Sequence, residues 1–294
     1  MTAKIIDGKQ VAAEMREELK LQVAQLKTKG VTPGLAVILV GDDPASKSYV
    51  TAKEKACEEI GMHSDDNRLP AETTQAELMA LIDKCNKDPK VHGILVQLPL
   101  PKHINEDEVL PAIDPAKDVD GFHPVNVGRM VVGQEAYLPC TPHGVIQLLL
   151  RSGVELSGAE VVIVGRSNIV GKPLANMLIQ KSKTGNATVT VCHTRTKDIA
   201  AHVQRADIVI AAAGRPNTIT AEMVKDGAVV IDVGVNRVED ASKKSGYRLV
   251  GDVDFEAIKQ KASLITPVPG GVGPMTITML LYNTVQSATK ALNR

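Results

Sequence analysis

Residues 159–173, AEVVIVGRSNIVGKP, constrain the fold more than any other part of this 294-residue chain. They open on a run of apolar residues, Val161-Val162-Ile163-Val164, the composition of a strand buried on both faces of a parallel sheet. Gly165 stands where such a strand must turn tightly, and Ser167 and Asn168 are turn and cap residues. Gly171 and Pro173 lead into Leu174, Met177 and Leu178, and proline is favoured at the start of a helix, where its missing N–H costs nothing. Strand, glycine turn and helix start together aim unpaired backbone N–H groups and a positive dipole end at one point. That point suits a phosphate.

The spacing is not G-x-G-x-x-G, because Ser167 holds the place of the second glycine. Taken alone, the segment reads equally well as an ordinary strand-to-helix turn. The end of the next strand favours a dinucleotide. That strand is read over residues 188–192, and no Asp or Glu stands at its end to hold a ribose 2′-hydroxyl. His193-Thr194-Arg195-Thr196 stands there instead, with Arg166 in the first turn. Guanidinium and hydroxyl groups suit a 2′-phosphate better than a bare ribose, so NADP is expected over NAD.

The whole chain sets wider bounds. At 294 residues, two domains are the natural expectation, and 44% hydrophobic residues suffice to fill their cores. A formal net charge of zero gives no reason to expect nucleic acid or an anionic membrane as partner. The N-terminus MTAKIIDGKQ lacks a signal-peptide core, and no apolar run approaches the roughly 18 residues of a membrane span. Cys57, Cys85, Cys140 and Cys192 are scattered, with no C-x-x-C pair and no histidine spacing suited to zinc. Reduced, mostly buried thiols in a cytosolic protein are expected, and no metal.

In the first half, Asp7-x-x-Gln10 resembles a capping box ahead of Val11, Met15, Leu19, Val23 and Leu26, a helical stripe that runs to Gly30. Residues 35–40 read as a buried strand. Asp43-Pro44 opens a helix that Gly61 closes, and Thr74-x-x-Glu77 opens another bearing Leu78, Leu81, Ile82 and Cys85. Residues 94–98 form a further strand, followed by Pro99-Leu100-Pro101. Such alternation predicts a parallel, three-layer α/β domain with ligands beyond the strands' carboxyl ends. Three segments qualify: 41–43, 97–99 and 117–122. On the helix after Pro44, Tyr49 and Lys53 lie four apart on one face. At about 100° per residue both fall beside the Val50, Cys57, Ile60 stripe, which by itself describes a solvated lysine and a boundary tyrosine. Asp120 before Gly121 is more often a turn residue than a catalytic one. Gln97 in an apolar strand is odder, because a polar amide there needs a partner.

In the second half, Thr141-Pro142 is expected to cap a helix over 144–150. From Ala159 the order is strand, helix, strand (188–192), helix (197–206), strand (207–212), short helix (221–225) and strand (228–233), a doubly wound sheet. Gly214 and Gly234 fall just past strand ends. Residues 237–249 read as a polar hairpin or loop, with Lys243, Lys244, Ser245 and Gly246 at its tip. Thr266-Pro267-Val268-Pro269-Gly270-Gly271-Val272-Gly273-Pro274-Met275-Thr276 reads as a loop of fixed shape, too poor in charge for a surface linker. A helix over 277–292 ends the chain.

These residues resemble a known family. Pro44-x-Ser46-x-x-Tyr49-Val50-x-x-Lys53, the segment from Gly93 to Pro101, Lys117-Asp118-Val119-Asp120-Gly121-Phe122, Gly165-Arg166-Ser167-x-x-Val170-Gly171-x-Pro173 and the segment from Pro267 to Thr276 are similar to the signatures of the bifunctional methylenetetrahydrofolate dehydrogenase / methenyltetrahydrofolate cyclohydrolase family. They stand in the family's order and span nearly the whole chain.

The resemblance implies NADP-dependent oxidation of 5,10-methylenetetrahydrofolate to the methenyl cation, then hydrolysis to 10-formyltetrahydrofolate. It implies that Lys53 is catalytic with Gln97 as its hydrogen-bond partner, that Tyr49 stacks on the aminobenzoate ring and that Asp120 anchors the pterin. Val96, Gln97 and Leu98, with Pro269, Gly270, Gly271, Val272, Gly273, Pro274, Met275, Thr276 and Ile277, would line the folate cleft. Gly165, Arg166, Ser167, Thr194, Arg195 and Val235 would contact NADP. The implied architecture is two α/β domains with a cleft between them, a folate-binding catalytic domain over 1–140 plus 274–294 and a Rossmann-like NADP-binding domain over 141–273. The C-terminal helix would return to the first domain, and a homodimer would form through the nucleotide domain. Beside a cationic substrate and partly desolvated, the Lys53 amine should hold its proton weakly, and neutral Gln97 could orient it without restoring the charge. A dehydrogenase without hydrolase activity, using NAD, would need no such pair. A non-catalytic NADP-binding regulator on the same fold is the reading from another class. A formate-activating ligase is excluded, since no G-x-x-x-x-G-K-[ST] loop occurs.

Overall fold

A computed structural model describes residues 2–243 and 246–292, with Ala45 described by its backbone alone. The chain divides into two compact units, one of Met1–Ala12 with Thr141–Thr276, the other of Ala13–Cys140 with Ile277–Arg294. Strand β1 (Lys4–Ile5) and helix α1 (Gly8–Thr28) open the chain. Asp7 caps α1 by accepting the N–H groups of Lys9 and Gln10 at 2.9 and 3.2 Å.

The second-named unit continues with β2 (Gly34–Val40), α2 (Pro44–Ile60), β3 (His63–Leu69), α3 (Gln75–Lys87), β4 (Gly93–Val96), α4 (Glu106–Val109) and α5 (Pro124–Val131). Its sheet is parallel in the order β3-β2-β4. Every residue of β2 and β4 is buried, as their apolar composition requires. Ala36, Ile38, Val40, Ile94 and Val96 pack with Leu78, Ile82 and Cys85 of α3. The caps read from sequence are present: Asp43 accepts the Ser46 N–H at 2.7 Å, and Gly61 ends α2 at φ +79°. Thr74 and Glu77 bond reciprocally at the start of α3. The β3 strand has no apolar alternation to announce it; HSDDNRL is an edge strand held by its ladder to β2. Beyond β4, residues 117–119 run alongside it, with the Ile94 N–H donating to the Lys117 carbonyl at 2.8 Å.

The other unit comprises α6 (Cys140–Arg151), β5 (Glu160–Val164), α7 (Gly171–Leu178), β6 (Thr188–Cys192), α8 (Ile199–Val203), β7 (Ile208–Ala211), β8 (Val229–Asp232), β9 (Asn236–Glu239), β10 (Tyr247–Val250), α9 (Phe255–Ile258) and β11 (Leu264–Ile265). The final helix, α10 (Val272–Leu292), ends the described chain. Six strands form one parallel sheet in the order β1-β11-β8-β7-β5-β6. The order reverses at β5, whose neighbours are β6 and β7, so the crevice for a ligand lies at its carboxyl end. Residues 237–249 form part of the antiparallel β9–β10 hairpin, and its expected tip residues Lys244 and Ser245 lie outside the described residues.

Several boundaries differ from expectation. The expected first domain takes in residues 1–12, but Ile5 of β1 pairs with Ile265, which places them in the Rossmann-like unit. A two-residue strand carries no periodicity by which sequence could place it. Thr141 does not cap α6; it lies inside a helix that begins at Cys140. The loop expected over 266–276 ends early, because α10 starts at Val272 and takes in Gly273, Pro274, Met275 and Thr276. Proline in a first helical turn removes no hydrogen bond, so its presence does not mark a loop. Among the described residues, no helix is long and apolar enough to cross a membrane, and no group of three or more His, Cys, Asp or Glu side chains is arranged to hold a metal ion.

Candidate active site

Lys53 lies in the middle of α2 and is 8% exposed. The helical-wheel position beside the apolar stripe therefore does not leave it in solvent. Its Nζ donates to Oε1 of Gln97 at 2.8 Å, just past the end of β4. The other end of that amide is fixed too, with Nε2 donating to the Leu98 carbonyl at 2.7 Å. The acceptor oxygen must then face the amine. This answers the oddness of a glutamine at the end of an apolar strand. Burial lowers the pKa of the Lys53 amine, with the negative charge of Asp120 as the main opposing influence. Tyr49, one turn earlier on the same face, is 46% exposed and able to offer its ring to a ligand.

Asp120 occupies the turn beyond the 117–119 segment, immediately before Gly121 at φ +77°. Desolvation raises its carboxyl to about 6; Lys53 opposes the rise, and Asp118 adds to it. Cys140 lies beside this carboxylate and donates its thiol to the Val119 carbonyl at 3.4 Å, and burial holds that thiol well above the usual range. Lys53, Gln97 and Asp120 thus bring a buried amine, a neutral amide and a reluctant acid to one place. The amine holds its proton less tightly than a free lysine, and the carboxylate can accept N–H groups from a flat heterocycle.

In the other unit, the β5–α7 turn has Gly165 at φ +140°. A side chain there would collide with the Ala212 carbonyl, and one at Gly171 with the Gly165 carbonyl. Ser167 Oγ accepts the Val170 N–H at 3.1 Å, while α7 begins without a side-chain cap. Lys172 gives its N–H to the Ser167 carbonyl at 3.1 Å and Pro173 has none, so of the first three helical residues only Gly171 keeps an N–H for a ligand. Arg166, Ser167, Thr194 and Arg195 are exposed at the carboxyl ends of β5 and β6, and Val235 is exposed past β8. In the same unit, Thr266 Oγ1 accepts the Asp232 N–H at 2.7 Å. A Cβ on Gly271 would stand 2.6 Å from the Pro267 carbonyl oxygen. The glycine is required there by close backbone approach. The Thr141 and Thr276 hydroxyls meet at 2.9 Å.

The profile of the tetrahydrofolate dehydrogenase/cyclohydrolase catalytic domain matches residues 6–120, and that of the NAD(P)-binding domain of the same family matches residues 139–292. The chain belongs to this family. It is similar to the "Bifunctional protein FolD" of Geotalea daltonii, with 62% identity over 98% of this chain and 99% of the relative. The protein of that name from Bacillus subtilis is 58% identical over the full length of both. Among solved structures of the family, the Campylobacter jejuni FolD methylenetetrahydrofolate dehydrogenase/cyclohydrolase is 53% identical, with a TM-score of 0.92 over 98% of this chain and 99% of its own. The Trypanosoma brucei enzyme, solved with NADP and an inhibitor, is 43% identical, with a TM-score of 0.94 over the full length of both.

Within the family fold, sequence reasoning misses the residues that hold Asp120 in place. Asp118 accepts the Phe122 and His123 N–H groups at 3.2 and 2.8 Å and Nδ2 of Asn126 at 2.9 Å. His123 caps α5 through Nδ1. Asn283 of α10 donates to the Val119 and Leu138 carbonyls. A signal for Asp118 exists, since an Asp just ahead of a His-Pro helix start suits a local acceptor. Asn283 gives none, because its partners lie far away in sequence. The β5–α7 turn fits a dinucleotide: glycines admit a phosphate's close approach, the Gly171 N–H at the start of α7 is left for it, and two exposed arginines stand near.

Proposed function

We infer that this chain is a bifunctional, NADP-dependent methylenetetrahydrofolate dehydrogenase and methenyltetrahydrofolate cyclohydrolase. The single observation that carries the reading is the buried Lys53 amine held at 2.8 Å by the neutral amide of Gln97. Oxidation alone needs no such pair. Hydrolysis does, because a proton must leave the attacking water and another must reach the departing ring nitrogen.

In this reading the pterin lies with its amino and ring N–H groups on the Asp120 carboxylate, and Tyr49 stacks on the aminobenzoate ring. Val96, Gln97 and Leu98 border the one-carbon unit, and residues 269–277 line the folate. NADP, when bound, supplies the acceptor for the hydride lost from the methylene carbon. Gly165, Arg166, Ser167, Thr194, Arg195 and Val235 hold it, the guanidinium groups neutralising the 2′-phosphate. For the second step, water adds to the methenyl carbon and loses a proton. The bond from that carbon to N5 breaks as the remaining hydroxyl proton leaves, N5 gains one proton, and the formyl group stays on N10, with one proton released overall. In its neutral form, which burial favours, Lys53 has a lone pair to take the water's proton while one of its N–H bonds is tied to Gln97. A charged carboxylate in place of Gln97 would restore the ammonium and remove that lone pair.

The partners proposed are one-carbon derivatives of tetrahydrofolate in a cytosolic setting, which suits four free, buried thiols. A homodimer through the NADP-binding unit is proposed on the strength of its edge. Strand β6 ends the sheet and, among the described residues, has no strand on its outer side; Val191 is 36% and Ile179 55% exposed beside it. The deciding experiment supplies methylenetetrahydrofolate and NADP and follows the methenyl cation by its absorbance. A transient that decays to 10-formyltetrahydrofolate supports the bifunctional reading. A methenyl cation that accumulates with only the uncatalysed decay overturns it.

A further inference from the structure

Asp120 sits in a turn, outside any strand or helix, so its position depends on the residues either side. After it, the Asp118 carboxylate gathers the Phe122 and His123 N–H groups. Immediately before it, the Val119 carbonyl accepts Nδ2 of Asn283 at 2.8 Å. The same nitrogen donates to the Leu138 carbonyl at 2.9 Å and lies 3.8 Å from the Cys140 sulfur. Gly121, immediately after Asp120, is pressed so close to the 138–140 segment that a Cβ would stand 2.6 Å from the Pro139 nitrogen. One amide on α10 thereby clamps the Asp120 turn to that segment. Cys140, whose thiol donates to the same Val119 carbonyl at 3.4 Å, belongs to it.

Asn283 is 2% exposed, among the buried Met279, Leu280 and Val285 of α10. A polar side chain in such surroundings lowers stability unless it is bonded. Here it satisfies two carbonyls that belong to no strand or helix ladder, one from the turn that carries Asp120 and one from the segment beneath it. We propose that Asn283 is a positioning residue for pterin recognition, setting the Asp120 carboxylate through the Val119 and Leu138 carbonyls. The proposal rests on Asp120 as the pterin anchor. It adds a residue of the C-terminal helix to the determinants of folate affinity, although Asn283 touches no substrate.

The test is a cycle of Asn283→Ala, Asp120→Asn and the double variant, with KM for methylenetetrahydrofolate, NADP affinity and thermal unfolding measured on each. Asn283→Ala is expected to raise the folate KM by about tenfold to a hundredfold, the scale of a misplaced recognition group, and to leave NADP affinity within about twofold. In the Asp120→Asn background the same substitution should add less than about a factor of two, since coupled residues are not additive. Asn283→Ser, which keeps one donor, should show a smaller rise of the same kind and serves if Asn283→Ala fails to fold. Multiplying effects in the double variant, or an unchanged folate KM in a folded Asn283 variant, would overturn the proposal while leaving the Asp120 reading intact. An unchanged KM in Asp120→Asn alone would sink the anchor reading itself, and the proposal with it.

Discussion

Lys53 shows how burial makes a reagent of an ordinary side chain. Its amine lies among groups that desolvate it, and Gln97 orients it without adding charge. Replacing Lys53 with Met should cut cyclohydrolase turnover by roughly 10²–10⁴-fold, the range for a lost acid–base group, with NADP binding retained. Hydrolysis of added methenyltetrahydrofolate at the normal rate would remove Lys53 from the mechanism. Asp120 raises the Lys53 pKa by its negative charge, so Asp120→Asn should lower that pKa further and leave the amine neutral to a lower pH. A titration of the lysine side chain by carbon NMR reads this directly, and a shift to higher pH contradicts it. In the other unit, Arg166→Ala or Arg195→Ala should each weaken NADP by roughly 1.5–3 kcal/mol, the worth of a charged hydrogen bond. NAD affinity should barely change; equal losses for both dinucleotides would rule out a role on the 2′-phosphate.

At the scale of elements, caps are the most legible feature. Asp43, Thr74, Glu77 and Gly61 stand where the sequence places them, because capping is a contact between near neighbours in sequence. Asp43 matters beyond its own helix, since α2 carries both Tyr49 and Lys53. Asp43→Ala should cost about 1 kcal/mol of stability, visible as a lower midpoint in denaturant unfolding. No change would mean that the α2 start is held by packing alone. Polar β3 and two-residue β1 are not legible, because each is specified by a partner strand and not by its own pattern. The start of α10 is hidden for a related reason: its Gly and Pro suggest a loop but sit in a first helical turn.

At the scale of the molecule, the all-parallel six-stranded sheet ends on β6, whose outer edge pairs with no strand among the described residues. A second copy pairing or packing there would cover Val191 and Ile179. Val191→Glu is therefore expected to give a monomer in sedimentation velocity with NADP affinity retained. A wild-type chain already monomeric at micromolar concentration would refute the dimer. By itself, the sequence determined most of the alternation of strands and helices, the caps of α2 and α3 and the dinucleotide turn, because these depend on local periodicity and spacing, whereas Lys53, Gln97 and Asp120 were singled out by the family resemblance. Only the tertiary structure decided that Lys53 is buried, that Asp118 and Asn283 hold the Asp120 turn, and that the first twelve residues join the Rossmann-like sheet. Burial and long-range hydrogen bonds arise from chain segments far apart, as in the pairing of Ile5 with Ile265, and no local pattern encodes them.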